Sequence, residues 1–185
     1  MEKEKSLYEL LNTKEIIAIL DGDTKYGKYI FEDETSIDIS MPYLSGPDLC
    51  RLSTLFGLPM SYSCGKGATN LSRRQYLFNL LEYCIKENRC SELLTYLFEM
   101  NKFSSKLSRY GADEIEAAYS HITQTVIQKI NGLLYFGGNE LAVIDNSFII
   151  KKIGSKVEII APKIKMIDRE YIKSISSRAN RDIDQ

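Results

Sequence analysis

One histidine, His121, is all the imidazole in the 185 residues, which leaves little scope for a histidine-based triad or dyad. None of the four cysteines (Cys50, Cys64, Cys84, Cys90) stands in a C-x-x-C pair, so a zinc site would have to be assembled from scattered positions. With no secretion signal they read as reduced structural thiols, small hydrophobes set beside neighbours such as Tyr83 and Ile85. Glycine and proline are sparse, 11 and 4, which excludes collagen-like and low-complexity classes. No apolar run approaches the ~18 residues of a membrane span. The leading Met1-Glu-Lys-Glu-Lys is too polar for a signal peptide. A soluble, cytoplasmic protein with no membrane partner, no cofactor and no metal site is expected.

What is present is apolar side chain for a core. At 44% hydrophobic and 26% charged residues, the composition suits one ordinary domain or two small ones. The net charge of −1 conceals an asymmetry: residues 1–50 carry 5 Lys/Arg against 11 Asp/Glu, whereas residues 151–185 carry 9 against 5. The acidic head and basic tail face either each other or different partners. The overall balance does not fit a nonspecific nucleic-acid binder, which usually has a strong basic excess.

Periodicity predicts an α+β fold, a mostly helical body with a small antiparallel hairpin or meander near residues 133–160 and a C-terminal connecting helix. A short helix is expected over residues 4–12. Glu15 to Leu20 fits either a buried strand or a helix, and Ser36 to Met41 alternates as a half-buried strand. Ser45-Gly46-Pro47-Asp48 is a helix start, with a capping residue, an early proline and an acid at the positive end of the dipole. Leu49, Leu52, Leu55 and Phe56 follow at helical spacing, and Gly57 with Pro59 stops them. Asn70 or Ser72 caps the next helix, with Tyr76, Leu77, Leu80, Leu81, Cys84 and Ile85 as its inner stripe. Further helices are expected from Ser91 to about Phe98 and from Asp113 to Ile130, the latter with Ile115, Ala118, Tyr119, Ile122, Val126, Ile127 and Ile130 inward. Strand-length runs then occupy 133–136, 140–144, 147–153 and 156–160, separated by tight-turn sequences such as Asp145-Asn146. The expected divisions are a helical body over 1–132, a β element over 133–162 and a linker with a last helix over 163–185.

That last helix carries Ile172, Ile175, Ala179 and Ile183 at 3-, 4- and 4-residue intervals. It has no glycine stop, and the expectation is that the protein continues beyond it. The apolar stripe is then an interface for the following domain or for a second copy of the chain.

Three stretches, Ile37 to Cys50 (IDISMPYLSGPDLC), Ile130 to Gly138 (INGLLYFGG) and Pro162 to Ile172 (PKIKMIDREYI), resemble the N-terminal region of bacterial abortive-infection (Abi) family proteins, which are antiphage defence factors. The resemblance covers nearly the whole chain. It implies a C-terminal Abi domain, HEPN-like, beginning just after the segment that resembles Ser174 to Gln185. HEPN-type ribonucleases use an arginine and a histidine separated by four to six residues. Ahead of His121 those positions hold Glu114, Ile115 and Glu116, so this segment does not carry that active site.

Two further constellations invite chemistry. The loop Cys64 to Thr69 contains Gly65, Lys66 and Gly67 and feeds a helix with Arg73 and Arg74 in its first turn. Glycines let backbone amides approach a phosphate, and arginines at a helix start favour a nearby anion. Either these five residues form an anion or phosphate clamp, or the arginines pair with the acidic N-terminal third. The G-x-x-x-x-G-K-[ST] spacing of a Walker A loop is absent. The second is the acidic set Asp21, Asp23, Glu32, Asp33, Glu34 and Asp38 with Lys25 and Lys28, a Mg²⁺ nuclease site or, on the general behaviour of charge runs, a solvated surface.

The function expected is a noncatalytic sensing, regulatory or oligomerising N-terminal module of an abortive-infection-type antiphage protein. Its partners would be its own C-terminal effector domain, a second copy of the chain, or a phage component. The alternatives are a nucleic-acid-binding module using Lys66, Arg73 and Arg74, and a metal-dependent nuclease using the acidic N-terminal third.

Overall fold

The structure, a computed structural model, describes residues 7–63 and 70–155. Helix α1 spans Lys14–Leu20 and buries Ile16, Ile17, Ile19 and Leu20. With apolar residues on more than one side, it is held by what surrounds it rather than by amphipathicity. Residues 7–12, expected as a helix, form a succession of turns instead; Leu11 is buried and its amide donates to the Tyr8 carbonyl at 3.1 Å. A short antiparallel ribbon follows, β1 (Lys28–Ile30) against β2 (Ser36–Asp38), with Tyr29 opposite Ile37. β2 matches the expected alternation, whereas β1 has no counterpart among the expected elements.

Helix α2 (Gly46–Leu55) starts on a capping box. The Asp48 amide donates to the Ser45 hydroxyl, and the Ser45 amide donates back to the Asp48 carboxylate at 3.1 Å, satisfying two groups that a helix start leaves unpaired. Gly57, at φ +92°, follows its end. Helix α3 (Arg73–Lys86) repeats the device with Ser72 and Gln75 and buries Tyr76, Leu77, Leu80, Leu81 and Cys84. Helix α4 (Cys90–Phe98) turns Cys90, Leu93, Leu94, Leu97 and Phe98 inward. A 3₁₀ turn over Met100–Phe103 and a one-turn helix α5 (Ser104–Leu107), neither among the expected elements, lead to helix α6 (Ala112–Leu134). α6 buries Ala118, Ile122, Val126, Ile130 and Leu134, one residue per turn, while Ile115, Tyr119 and Ile127 are half-buried beside them. α3 packs against α1, α2 and α4, and α1 also packs against α6.

The run 133–136, expected as a strand, belongs to the end of α6 and the 3₁₀ turn Tyr135–Gly137. The stripe through Ile130 and Leu134 carries the helix past the point where periodicity alone suggests a change, and Gly138 at φ +72° stops it. Strand β3 (Asn139–Ile144) then pairs with β4 (Ser147–Lys152) through the two-residue turn Asp145-Asn146, both at positive φ. Neither outer edge is left open at its centre. Asn131 on α6 accepts from the Leu141 amide (2.6 Å) and donates to its carbonyl (3.0 Å), as a neighbouring strand would. On the other side Thr95 accepts from the Phe148 amide and Ser91 donates to its carbonyl, both at 2.9 Å. Phe148 stacks on Phe98 at 4.5 Å. The architecture is α+β and mostly helical, with two small antiparallel sheets among the described residues. No described helix is long and apolar enough to cross a membrane. The runs expected over 156–160 and 168–183 lie outside the described residues.

Candidate functional site

The segment Met41–Leu44, running from β2 into α2, forms one wall of a cleft of about 510 Å³. Leu52 and Leu55 of α2, Leu97 and Tyr96 of α4, Lys102 of the 3₁₀ turn and Leu20 of α1 complete it. Its floor is apolar and closed to solvent, with Leu20, Met41, Leu52 and Leu97 all at most 5% exposed. Its rim carries exposed Tyr43 and Leu55 together with Arg51, which pairs with Asp48, and Lys102, whose ammonium lies 3.5 Å from the centre of the Tyr96 ring. An apolar basin with a few polar groups at the mouth has the character of a small-ligand site, and the volume lies in the usual range.

Two cations hold the wall in place. The Lys106 ammonium reaches from α5 to donate to the Ser40 carbonyl (2.8 Å), the Ser40 hydroxyl (2.6 Å) and the Met41 carbonyl (3.3 Å). Burial pulls its pKa below the ordinary lysine value. At the far end Arg73 spreads its guanidinium over three acceptors: the Leu44 carbonyl (2.6 Å), the Asp21 carbonyl (2.8 Å) and the Asp23 carboxylate (2.8 Å). Its flat face lies 3.8 Å from the Tyr43 ring centre. The Leu44 amide also donates to the Asp21 carbonyl at 3.1 Å.

The two aspartates beside Arg73 are shifted in opposite directions. Asp21 is wholly buried, and loss of solvent raises its pKa; one carboxylate oxygen accepts from the Asp23 amide while the other has no hydrogen-bond partner. Asp23 is held below the usual carboxylate range, first by its hydrogen bond to Arg73. Asp23 therefore adds stability that is lost as pH falls through its lowered value. Asp21 favours the fold most in the protonated form, and that contribution is lost as pH rises through its raised value.

Of the expected anion clamp, Gly65, Lys66 and Gly67 lie outside the described residues. Arg73 and Arg74 pair with Asp23, the latter at 3.4 Å, so the arginines meet the acidic N-terminal third. The expected interface residues Ile172, Ile175, Ala179 and Ile183 are also outside the described residues. The acidic set is distributed rather than gathered: Asp38 pairs with Lys25 at 2.7 Å, and Asp33 accepts from Thr35. Among the described residues no group of three metal-type side chains converges. His121 is exposed, with the Tyr29 ring 5.3 Å away. Lys106 escapes sequence reading altogether, because nothing in Ser105-Lys106-Leu107 distinguishes it from a solvated lysine.

The thiols of Cys84 and Cys90 are buried, and desolvation pushes them up to about 11 and about 12. At pH 8 that leaves roughly one thiol in a thousand and one in ten thousand ionised, and the thiolate is the reactive form. Iodoacetamide applied to the native protein at pH 8 should leave both unmodified, while the same treatment in urea alkylates them fully. Peptide mass mapping reads the result, and native labelling of either cysteine would refute the assignment as structural thiols. Comparison with protein-family models, curated proteins and solved structures yields no match.

Proposed function

We propose that this chain is a noncatalytic sensing or regulatory module of an abortive-infection-type antiphage defence protein, and that the cleft walled by Met41–Leu44 receives the trigger. The observation that carries the reading is the position of one stretch. Ile37 to Cys50, the first of the three by which the sequence resembles Abi-family N-terminal regions, supplies Met41, Pro42, Tyr43, Leu44 and Asp48 to the cleft lining. A segment held by Lys106 at one end and Arg73 at the other is preorganised to bind, and ligand contact there bears directly on α2, whose capping box it enters. The partners this reading implies are a C-terminal effector domain of the kind the resemblance carries, a phage component, or a second copy of the chain.

Leu55 provides the test because it is 61% exposed at the cleft rim, so replacing it leaves the core intact. Cells expressing the natural gene should resist phage plaque formation, and Leu55→Arg should abolish that protection while the purified variant keeps the wild-type circular dichroism and melting curve. Full protection with Leu55→Arg would overturn the cleft as the sensing site.

A further inference from the structure

α1 has a second concave flank. Whereas Leu20 faces the cleft described above, Lys14 and Ile19 line another, open concavity of about 590 Å³, flanked by Arg74 of α3 and by Lys129 of α6. Three cations from three helices, distant in sequence, thus meet on one cleft against a single lining carboxylate, Glu15. Gathering like charges is unfavourable unless an anion sits among them.

Their partners within the chain are weak. Lys14 reaches Glu15 only at 3.7 Å, with its side chain 85% exposed. Arg74 donates to Asp23 Oδ2 only at a long, exposed 3.4 Å, while Arg73 takes Oδ1 at 2.8 Å. Lys129 is exposed and faces the Tyr26 ring, 5.5 Å from its centre. Below the cations the cleft is apolar, with buried Ile19, half-buried Leu133 and the Tyr26 ring. A cationic lip over an apolar, aromatic-walled floor matches a ligand with a phosphate at one end and a flat heterocycle at the other.

We infer that this cleft binds a nucleoside phosphate, its phosphates among Lys14, Arg74 and Lys129 and its base against Tyr26. The base takes the ring face that Lys129 covers, and the lysine moves to the phosphate. Arg73 is spent on the Asp21 and Leu44 carbonyls and on Asp23 Oδ1, whereas Arg74, at Asp23 Oδ2, lines this cleft with Lys129. The inference does not depend on what the first cleft senses.

Isothermal titration calorimetry on the chain, with ADP, pyrophosphate and a single-stranded RNA 12-mer as probes, tests it. ADP should bind saturably and more tightly than pyrophosphate, and affinity should fall as salt is raised. Lys129→Glu and Arg74→Glu, both at exposed positions, should each weaken ADP by about tenfold or more while the melting curve is retained. Lys129→Ala should give a smaller loss in the same direction. Absence of ADP binding at millimolar concentration, ADP affinity unchanged in Lys129→Glu, or pyrophosphate binding as tightly as ADP would each overturn the assignment. RNA binding without ADP binding would do the same, in favour of a nucleic-acid surface.

Discussion

Replacing Arg73 by alanine is expected to destabilise the protein by about 3–5 kcal/mol at pH 7, the scale on which breaking a buried ion pair from one side acts. Asp21 is wholly buried and Arg73 is the cation beside it, 3.8 Å away. The substitution also strips a donor from the Asp21 and Leu44 carbonyls, the two points that join the α1 end to the cleft wall. Arg73→Lys should recover only part, because an ammonium cannot span three acceptors in the planar arrangement a guanidinium does. The pH dependence separates this account from simple loss of packing. Without Arg73, Asp23 loses the main contact that lowers its pKa, and Asp21, already raised, is raised further. The Asp21 part of the deficit should narrow as pH falls from 7 towards 4, and the Asp23 part only below the ordinary carboxylate value. Asp21→Asn in the Arg73→Ala background should likewise restore stability beyond additivity. Urea midpoints at the two pH values, and the double-mutant cycle at pH 7, read both effects. A deficit identical at pH 7 and pH 4, with strict additivity, would show that Arg73 does not act through the Asp21 charge.

The helices with local start signals are legible from sequence for a reason visible in the structure. Ser45 with Asp48 and Ser72 with Gln75 make reciprocal bonds within one turn, so residues three apart contain the whole device. The Asp145-Asn146 turn is equally local. α1 is undecidable from sequence because its apolar residues are buried by α3 and α6, elements far away along the chain. The run 133–136 misleads because four apolar residues in a row have no period of their own; its helical state follows from the Ile130–Leu134 spacing and the Gly138 stop. β1 is silent because its strand character comes from pairing with β2 across a loop, with Tyr29 and Phe31 edge-to-face at 5.0 Å.

The candidate site divides in the same way. Arg73 and Arg74 stand out because a helix start disfavours cations, but the choice between an anion and an acidic partner depends on residues about fifty positions earlier. The first cleft itself is invisible in the sequence. Leu20, Leu52 and Leu97 are ordinary stripe residues, and only folding turns them into a floor. The resemblance of Ile37 to Cys50 marks the segment without indicating what it does. In the fold that segment becomes a fixed wall, with its two ends tied by charge and its middle facing an apolar basin.

The wall is most sensitive to a single methyl group at Gly22. This residue stands just past α1 at φ +83°, and a Cβ there would lie 2.5 Å from the Pro42 carbonyl oxygen and 2.8 Å from the Tyr43 Cα. Both are backbone atoms of the cleft wall, which the Leu44–Asp21 hydrogen bond and Arg73 prevent from moving aside. Gly22→Ala should therefore cost about 1 kcal/mol for the left-handed conformation and a further 1–3 kcal/mol or so for overpacking against a fixed neighbour. Gly138→Ala is the matched control, since Gly138 has a similar φ of +72° and nothing within 4 Å of the added methyl. It should show the conformational cost alone. Chemical denaturation of the two variants measures the difference. If Gly22→Ala is no less stable than Gly138→Ala, the wall is free to retreat and the first cleft is not preorganised. A clear excess loss for Gly22→Ala, together with failure of that variant to protect cells against phage at a temperature where it remains folded, would tie the position of the Met41–Leu44 wall to the protein's activity.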